Sequence, residues 1–263
     1  MNQHRGGDLS RILGEQKQWG QIVKRICLDC SHGFDTLNLG RHTAIYCFAC
    51  REIRHKQEEE KERLSQQQQE AEYFRDMVRS AKIPPKWQTV TFGNSNTTNN
   101  PKAFQFTRQY AETFSLKSSS LVLYSPGAGT GKTHLLACIA NYVLFQKRIP
   151  VLFQKARDLM LELRKTFSDK EESEADVLNR VLSVPLLVLD DVGVDPLTKW
   201  LEATYWSAFD RRLEWQLPIV ISTNKPIEGN KDRLANWIGE RAVSRLVEMC
   251  AGQVIDMTGD DLR

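Results

Sequence analysis

At 263 residues, with 41% hydrophobic and 26% charged side chains, the chain has an ordinary globular composition and room for one sizeable α/β core plus a smaller appendage. A formal net charge of +3 excludes nucleic-acid binding through bulk charge, so any such contact must rest on a local basic patch. No apolar run is long enough to span a bilayer and no apolar signal core opens the chain, which makes a cytoplasmic protein with no membrane partner the expectation.

Six cysteines in a reducing compartment are not expected to form disulfides. Cys138 and Cys250 sit in apolar helical patterns and read as small buried hydrophobes. The other four follow the pattern Cys27-x2-Cys30, sixteen residues, Cys47-x2-Cys50. This is zinc-ribbon spacing, in which two hairpin-like knuckles each present two thiolates and close a tetrahedral site. Four thiolates leave no open position, so the zinc is expected to be structural and to supply folding energy to a block with little core. His32 and His42 read as surface side chains. Residues 51–77 follow, rich in Glu, Lys, Arg and Gln, and read as a solvated helix or tether. The organisation expected is a zinc-binding domain at 1–52, a helical linker at 53–82 and a larger domain at 83–263.

In the larger domain Pro84-Pro85 ends the preceding helix. Asn100 and Pro101 read as N-cap and first position of a helix running to about Phe114. Leu121-Val122-Leu123-Tyr124 is a buried strand, followed by an apolar-faced helix over 132–145. A strand at Val151-Leu152-Phe153 leads into a helix over 156–167. Leu186 to Leu189 and Ile219-Val220-Ile221 are further continuous apolar runs. Strands without a polar face belong in a parallel sheet covered on both sides, so the fold expected is an α/β sandwich.

Between the first strand and its helix lies Pro126-Gly127-Ala128-Gly129-Thr130-Gly131-Lys132-Thr133-His134. Backbone N–H groups of a Gly-rich turn and the positive end of a helix together cradle phosphate. In this phosphate loop Lys132 reaches the β- and γ-phosphates of ATP and the Thr133 hydroxyl ligates Mg2+. Pro126 stands where the usual motif has its first glycine, so the opening bend is expected to be built differently. The strand ending in Asp190-Asp191 places two carboxylates at the sheet edge, where Asp190 holds the Mg2+ water shell and Asp191 polarises the attacking water. Asn224, ending Ile219-Val220-Ile221-Ser222-Thr223-Asn224, is a neutral amide able to orient that water. Arg241 and Arg245 share one helical face. They could stabilise transition-state charge, although pairing with Glu240 and Glu248 on a solvated face is the simpler reading of that segment alone.

Taken in order, these segments resemble the AAA+ ATPases of the DnaC/DnaI helicase-loader and IstB transposition-helper group. The resemblance covers roughly 83 to 263. Ile83-Pro84-Pro85-Lys86 with Thr91-Phe92 carries it, as do Lys132-Thr133-His134-Leu135 and Leu189-Asp190-Asp191-Val192-Gly193. Ser222-Thr223-Asn224 and the run from Gly239-Glu240-Arg241 to Arg245-Leu246 complete it. It implies a five-stranded parallel sheet in 5-1-4-3-2 order without a helical lid. It also implies ATP at subunit interfaces, self-association through an arginine finger given in trans (Arg245, with Arg241 second), and Asn224 as the nucleotide-sensing amide. Gly127, Ala128, Gly129, Thr130, Gly131, Lys132, Thr133 and His134 then form the nucleotide cradle. Many AAA+ proteins carry Glu where this chain has Asp191. Relatives of this group touch single-stranded DNA through an insertion after the second strand, which points here to Lys165 and Phe167, and through Thr198, Lys199 and Trp200 facing a central channel. DnaI-type loaders hold the replicative helicase by an amino-terminal zinc domain. The resemblance therefore implies an ATPase switch that loads a hexameric DnaB-type helicase onto single-stranded DNA. A transposition helper acting with a transposase is the alternative.

Overall fold

The computed structural model describes residues 20–95, 100–166, 174–229 and 232–257. Two compact units meet between Glu72 and Tyr73, a boundary inside one helix.

In the first unit, β1 (Ile22–Ile26) and β2 (Gly33–Leu37) pair antiparallel, with Lys24 opposite Asp35. The turn between them carries Cys27 and Cys30. It is closed by Cys27 N–H donating to His32 O at 2.9 Å and Ser31 N–H donating to Cys27 O at 2.9 Å. Helix α1 (Phe48–Ser80) begins at the second cysteine pair, so that pair sits on a helix start and not on a second hairpin knuckle as expected. Arg54 grips Asp29 with both arms, at 2.5 and 2.6 Å, and its guanidinium lies 4.1 Å from the Tyr46 ring centre. Of the helix's 33 residues only Met77 is buried, consistent with a sequence of strong helix formers that offers little apolar surface.

The second unit is a five-stranded sheet between two helical layers. Its strands are β3 (Leu121–Tyr124), β4 (Val151–Lys155), β5 (Leu186–Val192), β6 (Ile219–Thr223) and β7 (Val254–Asp256), in spatial order β4-β5-β6-β3-β7 and parallel throughout. Numbered within the sheet this is the expected 5-1-4-3-2 order. Alternate residues of each strand feed the two faces, as the period of two requires. Val122, Leu152, Leu187, Leu189, Ile219 and Ile221 enter one core; Leu121, Leu123, Phe153, Leu186, Val188 and Val220 enter the other.

Helices α2 (Pro101–Thr113) and α3 (Lys132–Asn141) cover the second face, together with Met77 of α1 and Ala81 just past its end. The helix expected over 132–145 changes character at Tyr142–Gln146, which is a π-helical turn. Asn100 precedes α2 as its N-cap, but its side chain makes no capping bond; Nδ2 donates instead to Thr130 O at 3.2 Å and supports the Gly-rich loop.

Helices α4 (Ala156–Lys165), α5 (Glu174–Ser183), α6 (Lys199–Glu214), α7 (Ala235–Ile238) and α8 (Glu240–Cys250) cover the first face. The expected helix over 156–167 is described as far as Lys165; Phe167 lies outside the described residues. Arg212 of α6 is fully buried without a carboxylate. It donates to Val181 O at 2.7 Å, Val184 O at 3.0 Å and Pro218 O at 2.8 Å, tying the end of α5 to the start of β6, and burial pulls its pKa down to about 9. Among the described residues no helix follows β7, and no helix is long and apolar enough to cross a membrane.

Candidate nucleotide and metal sites

The loop from β3 to α3 closes over the carboxyl edge of the sheet. Gly131, the residue before the helix, has φ of 92°, which a side chain would strain, so glycine is required where the chain turns to point its N–H groups at one spot. The missing first glycine of the motif is answered by Ser125. Its buried hydroxyl accepts the Gly127 N–H at 3.2 Å and makes the bend that opens the loop before Ala128. Pro126 has no N–H to place there.

A cavity of about 650 Å³ opens beneath this loop, large enough for a nucleotide. Ala128 through Leu135 line one side, including Lys132, Thr133 and His134; Asp191 and Asn224 line another. Gly127 is not on the wall, although its carbonyl accepts from Lys132 Nζ at 2.9 Å. Lys132 is 6% exposed, and that ammonium also lies 3.5 Å from Ser125 O.

Thr133 and Asp190, far apart in sequence, meet here. The Thr133 hydroxyl lies 2.9 Å from both Asp190 oxygens, and Ser222 Oγ donates to Asp190 Oδ1 at 2.6 Å. Burial pushes the Asp190 pKa above the usual carboxylate value, Asp191 adds like-charge repulsion, and the Ser222 and Thr133 hydrogen bonds oppose the rise. The hydroxyl–carboxylate pair is a hard-oxygen donor set suited to Mg2+. Two buried acceptors, Thr130 Oγ1 and Asn224 Oδ1, have no hydrogen-bond partner among the described residues. Such orphans call for a ligand or water. Loop, ammonium, donor pair and orphans fit a Mg2+-nucleotide.

The far end of the cavity was not legible in the sequence as a site. Trp87, Phe104 and Met257 form an apolar wall, with Lys86, Asn100 and Val194 beside it. These residues come from four separate parts of the chain, and only the fold joins them; the one signal in the sequence is the Ile83-Pro84-Pro85-Lys86 segment preceding Trp87. Asn141 fixes the Trp87 loop by donating to Trp87 O and Val90 O, each at 2.7 Å. His134 stands edge-on to the Trp87 ring, 6.1 Å between centres, and its Nε2 lies 2.6 Å from Ser95 Oγ. Burial lowers its pKa, which favours the neutral ring.

Arg241 and Arg245 do not reach the cavity of their own chain. Both lie on α8 against α6: Arg241 stacks on Trp206 at 3.8 Å, while Arg245 donates to Asp210 at 2.6 Å and Glu248 at 3.2 Å. The pairing considered with Glu240 is replaced, because Glu240 is bonded to Arg233. Thr198 caps α6 by accepting the Leu201 N–H at 3.2 Å, and Lys199 is exposed. Trp200 lies under the Arg164 guanidinium, 5.0 Å from ring centre to Cζ, so α4, which carries Lys165, and the start of α6 lie side by side.

In the first unit the sulfurs of Cys27, Cys30, Cys47 and Cys50 all lie within 4.8 Å of one another. Desolvation opposes ionisation of Cys27, but hydrogen bonds from the Cys30, Cys47 and Asp29 backbone outweigh it and bring its pKa down to about 6. Four converging thiols with a thiolate-stabilising backbone fit a structural zinc ion. His32 is occupied with the Cys30 carbonyl at 3.2 Å.

Residues 55–263 match the family described as IstB-like ATP binding protein. Among curated proteins, the replicative helicase loader DnaC of Escherichia coli K12 is 33% identical over 139 residues, covering 53% of this chain and 54% of that one. The replicative helicase loader DnaI of Bacillus subtilis is 33% identical over 120 residues, covering 45% of this chain and 37% of that one. The chain thus spans about half the length, or less, of these relatives. Among solved structures, the DnaC helicase loader superposes with a TM-score of 0.58 at 24% identity, covering 66% of this chain and 100% of that one. AMPPCP-bound DnaA from Aquifex aeolicus gives a TM-score of 0.56 at 21% identity, covering 68% and 52%. The structural likenesses establish the AAA+ fold, and the sequence match, which takes in most of the chain, establishes that it belongs to the IstB-like ATP-binding family.

Proposed function

We propose that this chain is an ATPase switch that loads a DnaB-type replicative helicase onto single-stranded DNA. The observation that carries the reading is the meeting of Lys132, Thr133, Asp190, Asp191 and Asn224 at one nucleotide-sized cavity, in a chain whose curated relatives are named replicative helicase loaders.

Within the cavity Lys132 exchanges its backbone carbonyl partners for β- and γ-phosphate oxygens of ATP. Thr133 and Asp190 would hold Mg2+, which supplies charge neutralisation at the phosphates. Asp191 takes a proton from the attacking water and Asn224 orients that water. Trp87, Phe104 and Met257 give the base an apolar seat. Arg245 of a neighbouring subunit, seconded by Arg241, completes the site, so hydrolysis depends on assembly and serves release of the helicase. The position of Arg245 outside its own cavity agrees with donation in trans. Lys165, Phe167, Thr198, Lys199 and Trp200 contact single-stranded DNA. Cys27, Cys30, Cys47 and Cys50 would bind zinc, whose closed coordination supplies folding energy to the module that docks on the helicase.

The test is transfer of a purified DnaB-type hexamer onto closed circular single-stranded DNA by the full chain. Helicase on DNA with ATP, and none with the Lys132→Ala variant, is the expected result. A chain that neither co-purifies with the helicase nor transfers it contradicts the reading. The IstB name of the family favours a second reading, a transposition helper. That reading expects ATP-dependent assembly on duplex DNA with no requirement for helicase.

A further inference from the structure

Strands β5 and β6 run in register as far as Leu189 opposite Ile221, and pairing resumes with Val192 opposite Thr223. Asp190 and Asp191 together therefore face the single residue Ser222, which is the geometry of a β-bulge. Asp191 is left at φ of 57°, a left-handed conformation that side chains other than glycine adopt rarely. What holds the bulge is a side chain. The Asp191 N–H donates to Ser222 Oγ at 2.9 Å, and that same hydroxyl donates to Asp190 Oδ1 at 2.6 Å. Ser222 is completely buried, so water does not compete for either bond.

The consequence concerns where two neighbouring carboxylates end up. In a regular strand, successive side chains point to opposite faces of the sheet. Here the extra residue lets both serve one edge: Asp190 turns to Thr133 and Asp191 lines the cavity. One hydroxyl fixes the first by its carboxylate and the second by its backbone. We propose that Ser222 is the positioning residue for Asp191, its hydroxyl holding the bulge that aims the water-polarising carboxylate into the nucleotide cavity. The proposal rests on the role given to Asp191 above.

Two readouts test it on the full chain. The first needs no nucleotide: hydrogen exchange at the Asp191 amide should quicken about tenfold or more in Ser222→Ala, since its acceptor is gone. The second is ATP hydrolysis by the assembled protein. At saturating Mg2+, Ser222→Ala should lower kcat by about 10- to 100-fold, less than the roughly 10²–10⁴-fold a general base contributes because Asp191 is displaced and not removed, with ATP affinity within about threefold of wild type. The double variant Asp191→Asn/Ser222→Ala should be no slower than Asp191→Asn alone, because the two residues act as one unit. If the alanine variant fails to fold, Ser222→Cys, close in volume and a poorer hydrogen-bond partner, should move both readouts in the same direction. Wild-type exchange with wild-type kcat overturns the proposal. So does a defect confined to a raised Mg2+ requirement, which would mean that Ser222 acts only through Asp190. Should Asp191→Asn itself hydrolyse ATP at the wild-type rate, the role of Asp191 is wrong. An inactive Asp191→Asn beside a fully active Ser222→Ala leaves Asp191 in place and removes Ser222.

Discussion

Asp190 carries a charge where the fold would rather have none. It is 1% exposed, and burial raises its pKa above the ordinary carboxylate value. A raised folded-state pKa means that the folded chain binds a proton more tightly than the unfolded one. The associated stability is fully present at low pH and is lost as pH rises through the raised pKa. Replacing Asp190 by Asn removes the desolvated charge while leaving Thr133 and Ser222 a partner. Asp190→Asn should therefore melt higher than wild type by roughly 2–4 °C at neutral pH, in nucleotide-free protein without Mg2+. The gain should shrink toward zero as pH falls below the Asp190 pKa, and the variant should no longer bind Mg-ATP productively. Thermal denaturation across pH 4 to 8, about the span that matters for a raised carboxylate, reads this directly. A residue that costs stability in the empty protein is what a magnesium-binding role calls for. Gly193 has a simpler logic: at φ of 87°, an added Cβ would come within 3.0 Å of Leu234 Cδ1, so the turn after the acid pair needs glycine.

At the scale of elements, the sequence exposes what is consecutive and hides what is assembled. The phosphate loop, the acid-ended strand and the paired cysteines are each contained in a few residues; Ala128 to His134 and Asp191 line one cavity, Asp190 meets Thr133 beside it, and the four cysteines cluster. The continuous apolar runs read as buried parallel strands because a sheet covered on both faces leaves no polar side. Helix α6 is hidden in the sequence for the opposite reason. Its buried face of Leu201, Tyr205, Ala208 and Phe209 ends in a fully buried Arg212, which sequence patterning counts as solvent-facing. In the sequence Ser222 is only part of a strand ending in Asn224, since nothing in an apolar run marks a hydroxyl that will hold a bulge. A hairpin and a helix start suit the second cysteine pair equally, because the spacing fixes the number of ligands and not the backbone that carries them. Cys50 lies in the first turn of α1. If the four thiolates hold zinc as proposed, removal of one should act locally: Cys47→Ser should lower bound zinc about tenfold or more, measured by atomic emission. It should speed proteolysis within 20–52 and leave nucleotide affinity unchanged. Nucleotide binding lost together with zinc would contradict the local role proposed for the metal.

At the scale of the whole molecule, the groups of the proposed shared site fall in two separate places on the chain. Its cavity is lined by the loop, Asp191 and Asn224 but by no arginine of its own α8. Its α8 presents Arg241 and Arg245 on a surface shared with Trp206 and Asp210, where Arg245 is 40% exposed. A charge-assisted pair exposed to that degree is worth little in isolation, so handing Arg245 to a neighbour costs little. On the proposed trans arrangement, copies of the chain would assemble to complete each other's sites. Mixing two disabled variants tests this most directly. Lys132→Ala lacks the phosphate contact but keeps its arginine; Arg245→Ala keeps the cavity but lacks the arginine. Each alone should hydrolyse ATP at less than about a hundredth of the wild-type rate, within the range known for a missing arginine finger. An equimolar mixture should recover a substantial fraction of it. Hydrolysis by Arg245→Ala alone at the wild-type rate, or a mixture as inactive as its components, would contradict the shared site.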